Sequence, residues 1–177
     1  MRNIYSSLIA MVAVVLFAPL VFAAGTKPTF PSWSQRINTT KRFTVLTAFG
    51  NAAVLDNKTG LVWEQNPSTS TSTWSGAQSQ CNVSTVGGRL GWWIPTIQEL
   101  ASLVDPDDSS GNPDLPPGHP FSNVQTSNTY WSATTLAGDT SKVWSVGFAA
   151  GSLFNDDKSD GSLFVWCVRG GQGVDPQ

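Results

Sequence analysis

GGRLGWWIPTIQEL, residues 87–100, decides the fold of this chain because it joins a glycine turn to an apolar entry and a helix start. Thr96 and Glu99 have the spacing of a capping box, in which the Thr hydroxyl accepts a backbone amide and Glu reaches back to the cap. The residues that follow keep the i, i+3, i+4, i+7 spacing of a helix with one apolar face. We expect this helix to end at Asp105-Pro106, because the residue before a proline is disfavoured in a helix.

A second stretch, FVWCVRGG (residues 164–171), predicts the last strand and carries Cys167, one of only two cysteines in the chain. The other, Cys81, ends a predicted short helix that begins at Trp74 behind a Ser72 or Thr73 cap. In an oxidising compartment the two would pair. Closing a loop of 86 positions would stabilise the fold by about 4–5 kcal/mol in the chain-entropy description. Two separate buried thiols are the alternative.

The first 23 residues have the pattern of a secretory signal peptide: a basic Arg2, the apolar run Leu8–Ala18, and small residues before position 24. A membrane anchor is the alternative, but the run is shorter than the roughly 20 residues of a spanning helix. We therefore expect an exported protein, periplasmic, cell-surface or secreted, with no membrane span in the mature chain. Its predicted parts are an irregular arm (24–42), a single domain (43–171) and a tail (172–177).

The composition favours many short strands joined by turns. The 177 residues include eight Trp, nine Phe and sixteen Gly, and only 12% are charged. The formal net charge is −2, which excludes the basic footprint of a nucleic-acid binder. Strand-like runs at 43–46, 53–55, 61–63, 129–133, 142–148, 152–154 and 163–168 predict an α+β fold, with both helices packed on one side of an antiparallel sheet.

Five segments, in chain order, resemble a family of bacterial exported domains of unknown function, the Lcl C-terminal domain family. They are DNKTGLVW (56–63), the Trp74–Cys81 helix, Gly88–Leu100, YWS (130–132) and CVRG (167–170). The family's Trp-Arg-Leu-Pro-Thr is WWIPT (92–96) in this chain. The resemblance spans roughly residues 50–171 and implies a C-type lectin-like architecture, related also to formylglycine-generating-enzyme folds. Such folds have two short helices packed on a twisted antiparallel sheet and one long-range disulfide, a bridge that Cys81 and Cys167 match.

The lectin-like resemblance also implies a ligand site. In such folds a Trp-Asn-Asp element before the last strand and a Glu-Pro-Asn or Gln-Pro-Asp element upstream supply oxygens to calcium and sugar. This chain has comparable elements at 154–156, followed by Asp157, and at 112–114, and carboxylate and amide oxygens suit a hard cation. The candidate ligand or calcium residues are therefore Asn112, Asp114, Asn155, Asp156 and Asp157. The alternative is that these are ordinary turn residues and that no cofactor binds.

The tryptophans divide into two groups. Trp131, Trp144 and Trp166 lie in strands at positions that alternate toward the core. Trp92 and Trp93 are adjacent and cannot both point inward in the same way, so this pair is the candidate exposed aromatic.

Catalytic chemistry has little support in the sequence. His119 is the chain's single histidine and lies in the loop PPGHP (116–120), without the context of a catalytic motif. An enzyme would need a cleft that joins His119 to carboxylates such as Asp105 or Asp114. The two cysteines are assigned to the bridge, which excludes the reactive cysteine pair of the related oxidising enzymes and argues against zinc.

These observations predict an exported, non-catalytic binding module of the cell envelope or surface. Its partner would be a glycan, a surface polymer or a protein, and nucleic acid is excluded by charge. A structural envelope component is the alternative, and an enzyme of unknown class ranks below it. The sequence names neither the ligand nor the oligomeric state.

Overall fold

The computed structural model of the protein describes residues 42–105 and 111–170, and these ranges contain nine strands and two α-helices in an α+β arrangement. The predicted signal segment, residues 24–41 of the arm and the tail lie outside the described residues. The strands are β1 (Phe43–Val45), β2 (Ala53–Asp56), β3 (Leu61–Glu64), β4 (Thr71–Ser72), β5 (Tyr130–Leu136), β6 (Asp139–Gly147), β7 (Ser152–Asp157), β8 (Leu163–Phe164) and β9 (Val168–Gly170). The helices are α1 (Trp74–Asn82) and α2 (Ile97–Ala101). Within the described ranges, neither is long and apolar enough to cross a membrane.

The strands form two sheets rather than the one that the sequence predicts. The first has the order β1-β2-β3-β9 and is antiparallel, and the second has the order β4-β8-β5-β6-β7. Its strands are antiparallel except where β8 runs parallel to β5. The predicted last strand, 163–168, is in fact divided between the sheets, because Leu163 pairs with β4 whereas Val168 pairs with β3.

The central strands of both sheets are covered on both faces. Adjacent residues alternate between two hydrophobic clusters, so that Tyr130 belongs to the first cluster and Trp131 to the second. Helix α2 adds Ile97 and Leu100 to the first cluster, and α1 adds Ala77 to the second. The prediction that both helices pack on one side is therefore wrong. The long apolar runs of the last third of the chain are typical of strands buried on both faces.

The disulfide is confirmed. Cys81 and Cys167 are bonded, with their Cα atoms 5.4 Å apart, and both residues belong to the second hydrophobic cluster. The bond fixes the last turn of α1 to the chain just before β9.

The helix starts follow the predicted caps. Thr73 accepts a hydrogen bond from Gly76 N at the start of α1, and Thr96 and Glu99 form the complete capping box of α2. Helix α2 ends at Ala101, four residues earlier than predicted from Asp105-Pro106. After Ala101 the chain continues in a turn, in which the hydroxyl of Ser102 donates a hydrogen bond to the carbonyl of Glu99.

Strand β7 is longer than predicted. The sequence suggests a turn from Asn155 onward, but Asn155, Asp156 and Asp157 continue the strand in unbroken register with β6. Pairing with a neighbouring strand overrides the low strand propensity of Asn and Asp. Because β7 is the outer strand of its sheet, it leaves large apolar side chains exposed, with Leu153 52% and Phe154 47% accessible.

Candidate functional site

One face of the second sheet brings an exposed aromatic ring close to a carboxylate. Phe154 and Asp156 are alternate residues of β7 and therefore point to the same face. Phe154 lies opposite Ser145 of β6, and Gly147 follows on the same face of that strand. Thr129, immediately before β5, hydrogen bonds to Asp156. We call these five residues, Thr129, Ser145, Gly147, Phe154 and Asp156, the Phe154 cluster.

The ring of Phe154 occupies space that a side chain at position 147 would need. A Cβ atom at Gly147 would be 3.1 Å from Cε2 of Phe154 and 3.5 Å from Cγ2 of Thr129. The glycine therefore allows the ring to lie close to the backbone of β6, with Thr129 beside it. About half of the side chain remains exposed to solvent.

The carboxylate of Asp156 is held in place but not neutralised. Its Oδ2 atom accepts hydrogen bonds from the hydroxyl of Ser145 and from Thr129 Oγ1, the latter at 3.4 Å. Within the described ranges, Oδ1 accepts no hydrogen bond and no lysine or arginine forms an ion pair with Asp156. Ser145 of β6 and Thr129 before β5 thus orient the half-buried carboxylate of Asp156.

The five predicted oxygen ligands do not lie together. Asp114 is buried next to the β6–β7 turn, because a Cβ at Gly151 would be 2.5 Å from its Oδ2. Gly151 precedes Asp156 by five residues, about 16 Å along an extended strand. Asn155 and Asp157 point to the opposite face of β7 from Asp156.

Of the predicted set, only Asp156 belongs to the Phe154 cluster, while Asn112 is exposed in the loop next to Asp114. Across residues 42–105 and 111–170, no three His, Cys, Asp or Glu side chains form a group that could hold a metal ion.

The predicted exposed aromatic pair is buried to different degrees. Trp92 is only 2% accessible, so its prediction as an exposed aromatic is wrong, and Trp93 is half-buried. The two side chains do point apart, but one packs in the second hydrophobic cluster and the other against the first. Hydrogen bonds between Trp93 and Val168 fix the segment between the clusters. Trp131 and Trp166 are fully buried as predicted, whereas Trp144 is half-buried opposite Asn155.

His119 packs as a loop residue. Its ring stacks on Phe121, with centroids 5.9 Å apart, and burial lowers the pKa of the imidazole. In the part of the chain that the structure describes, no hydrogen bond or ion pair joins it to a carboxylate, and Nδ1 is buried without a hydrogen-bond partner. The backbone of Asp114, one of the acids proposed for an enzyme, is instead bonded to the carbonyl of Phe148.

Four members of the Phe154 cluster were not among the predicted site residues: Thr129, Ser145, Gly147 and Phe154. The sequence does contain a signal, since Ser145 and Gly147 are small residues at alternate positions of an otherwise apolar strand. This pattern can be interpreted only when the register between β6 and β7 is known, because the register places Phe154 next to Ser145 and Gly147.

A family model described as the Lcl C-terminal domain matches residues 52–169 of the chain. The match begins just before β2, reaches into β9 and contains both cysteines and all five residues of the Phe154 cluster. No curated protein matches the chain.

Proposed function

The chain belongs to the Lcl C-terminal domain family, and from this premise we propose that it is an exported, non-catalytic binding module of the cell envelope or surface whose ligand is a glycan. The family is one of unknown function, so the ligand has to be argued from the surface of this chain. The Phe154 cluster supplies that argument.

The observation that carries the proposal is a half-exposed aromatic ring on the same strand face as a carboxylate whose Oδ1 accepts no hydrogen bond from the described residues. Binding sites combine apolar or aromatic surface with a few well-placed polar groups. A sugar matches this combination, because the C–H groups of its ring pack on an aromatic face while its hydroxyls donate hydrogen bonds. Asp156 Oδ1 is the acceptor, and the hydroxyls of Ser145 and Thr129 orient it in advance, which lowers the entropic cost of binding.

The order of residue types in β7 agrees with the resemblance. In the lectin-like folds that it implies, a Trp-Asn-Asp element before the last strand contributes sugar ligands. Phe154-Asn155-Asp156 has the same order of aromatic, amide and carboxylate residues. Phe154 and Asp156 point to one face, so we assign the two of them, and not Asn155, to the sugar.

Two further features support an exported, non-catalytic role. The Cys81–Cys167 bond is of the kind that persists in oxidising compartments outside the cytosol, in keeping with the signal-like N-terminal sequence. His119 is engaged by Phe121 and has a lowered pKa, which suits a packed loop residue better than a general base bonded to a carboxylate.

The test is a binding screen with a matched pair of variants. The mature, oxidised protein is applied to an oligosaccharide array, and the best ligand is then titrated by calorimetry. Phe154→Ala should weaken its affinity by about tenfold, the size expected for one stacked ring.

Leu153→Ala is the control, because Leu153 is as exposed as Phe154 but lies on the opposite face of the same strand. It should leave the affinity unchanged. Absence of binding to every oligosaccharide, or equal losses in the two variants, would contradict the proposal.

A further inference from the structure

We infer that the Phe154 cluster is a site for an ammonium group, and that its glycan ligand is an amino sugar with a free, protonated amine. The inference rests on the proposed glycan-binding function and narrows it to one class of sugar. Its basis is the charge of Asp156 and the ring of Phe154, taken together.

Asp156 is a half-buried carboxylate with which no lysine or arginine of residues 42–105 and 111–170 forms an ion pair. Removing a carboxylate from water is costly unless a cation or several hydrogen bonds compensate it. Here the compensation comes from two hydroxyls on a single oxygen, Oδ2. Because Asp156 is already partly removed from water, a cation from outside the molecule would displace less water at Oδ1 than at a fully exposed carboxylate.

The lysines nearest along the chain are engaged elsewhere. Lys158, two residues after Asp156, donates from Nζ to the carbonyl of Thr140 at 2.8 Å and lies 4.5 Å over the ring of Trp74. Lys142 is paired in register with Asp157, on the opposite face of the hairpin from Asp156. Neither lysine forms an ion pair with Asp156.

The same combination of groups holds a cation elsewhere in this protein. The guanidinium of Arg42 is bound by Asp56 at 3.1 Å and lies 4.7 Å from the centroid of the Phe43 ring. A ring face attracts a cation, and a carboxylate beside it adds an ion pair. The Phe154 cluster presents a ring and a carboxylate to which the described part of the chain supplies no cation, so the cation is expected to come from the ligand.

Charge also selects against acidic sugars. The chain has twelve aspartates and glutamates and ten lysines and arginines, and the cluster itself contains one carboxylate and no basic residue. A uronic acid or sulfated sugar would place a second negative charge beside Asp156. A neutral sugar would use the ring and one hydrogen bond, whereas an amino sugar adds the attraction of its charge to both groups.

The experiment compares two ligands that differ in one group. A glucosamine tetramer and the fully N-acetylated tetramer of the same linkage are titrated into the mature, oxidised protein at about pH 6, below the usual pKa of an amine. The free-amine tetramer should bind at least about tenfold more tightly. This preference should shrink at high salt, because salt screens an attraction at a solvent-accessible site.

Two matched variants locate the preference. Asp156→Asn should abolish it, while its amide oxygen still accepts a hydrogen bond from Ser145. Asp157→Asn removes the neighbouring charge, which the structure places on the opposite face, and should retain the preference. Phe154→Ala, a change at an exposed position, should reduce affinity for the free-amine tetramer and so gives a second test if Asp156→Asn is poorly folded.

The outcomes separate the inference from the function on which it rests. Equal binding of both tetramers, or binding of only other neutral sugars, would overturn the amine site and leave the glycan function intact. Loss of the preference in Asp157→Asn as well as in Asp156→Asn would also overturn it, since a general charge effect would then explain it. Absence of binding to any glycan would overturn both.

Discussion

Glu64 places a carboxyl group in the interior next to the disulfide. Its Oε2 accepts a hydrogen bond from Cys167 N at 3.1 Å, and its Oε1 accepts one from Ser84 Oγ at 3.3 Å. Burial raises the pKa of Glu64, and the two hydrogen bonds only partly oppose this effect. The interior therefore favours the protonated form of this carboxyl more than water does.

The pH dependence of stability should reveal this carboxyl. A raised pKa means that the folded protein binds a proton that the unfolded chain releases, so the Glu64 contribution to the free energy of unfolding grows as pH falls. It is complete below the ordinary value of 4.5 and is lost as pH rises through the folded-state pKa. Glu64→Gln keeps both hydrogen-bond partners and removes the charge. We expect this variant to be more stable than the parent at pH 7, and the difference to vanish near pH 4, in urea titrations. A constant difference across this range would contradict the assignment.

A second residue-scale prediction concerns the buried pair of Arg42 and Asp56. Arg42 Nε and Nη2 donate to the two carboxylate oxygens at 3.2 and 3.1 Å, and both residues are buried. Asp56→Ala leaves the guanidinium buried without its partner and should reduce the free energy of unfolding by about 3–5 kcal/mol. The double variant Arg42→Met/Asp56→Leu should recover most of that loss. A single variant as stable as the parent would show that the pair is solvated.

At this scale the sequence predicts local chemistry well and distant pairing poorly. The caps at Thr73 and Thr96 could be identified because each hydroxyl accepts a hydrogen bond from the backbone amide only three residues later in the sequence. The Arg42–Asp56 pair could not, since it depends on β1 pairing with β2. The burial of Trp92 was missed for a related reason. Its segment lies between the two hydrophobic clusters, so side chains that point in opposite directions are both covered.

The hairpin of β6 and β7 is the element on which the proposed function depends. Six residue pairs, from Lys142–Asp157 to Gly147–Ser152, are in continuous register. That register places Phe154 over Gly147 and Asp156 within reach of Ser145. A shift by one residue would exchange the faces and expose Asn155 and Leu153 where Asp156 and Phe154 now lie.

Gly147→Ala tests the hairpin geometry without removing any ligand-binding group. The new Cβ would be 3.1 Å from Phe154 Cε2, so the ring must move by a few tenths of an ångström or rotate away. We expect glycan affinity to fall by roughly threefold to tenfold, a part of the contribution of a stacked ring. The melting temperature should change little, because the ring that moves is half-exposed. Unchanged affinity in calorimetry would show that the ring position over Gly147 is not needed for binding.

The elements were predicted where their signals are local. Residues Asp56–Gly60 form a turn between the predicted strand runs 53–55 and 61–63, with Gly60 at φ 76°. The extent of β7 was missed because Asn155, Asp156 and Asp157 are turn-forming residues that β6 nonetheless pairs. The division of 163–168 between two sheets was missed because nothing in a continuous apolar run indicates at which residue the chain leaves one sheet and joins the other.

At the scale of the whole molecule, the disulfide is a long-range constraint on the fold. It joins positions 86 apart in sequence and connects α1 with the segment before β9. Replacing both Cys81 and Cys167 with Ala should reduce the free energy of unfolding by about 4–5 kcal/mol, chiefly because the unfolded chain gains freedom. Urea unfolding of the variant and of the oxidised parent measures this difference. Equal midpoints would mean that the two sheets constrain the chain without the bond.

The sequence predicted the class of the fold but not its layers. Composition and strand-like runs gave α+β, and the two cysteines gave the bridge. The chain forms a second sheet, and the two helices pack in different hydrophobic clusters, because the central strands are buried on both faces. A sequence pattern that alternates apolar and polar residues predicts burial of one face only, so it does not predict this arrangement. The proposed binding surface depends on that layering, since Phe154 is exposed and Asp156 only half-buried because β7 is the outer strand of its sheet.

The most direct test of the central claim is to map a bound oligosaccharide on the protein by backbone amide chemical shifts. The mature, oxidised protein is titrated with the tightest glycan from the array. We predict that the largest shifts lie in β6, β7 and the start of β5, around Gly147, Phe154 and Thr129. Saturable shifts confined to another surface, or no shifts at all, would contradict the assignment of the Phe154 cluster as the binding site.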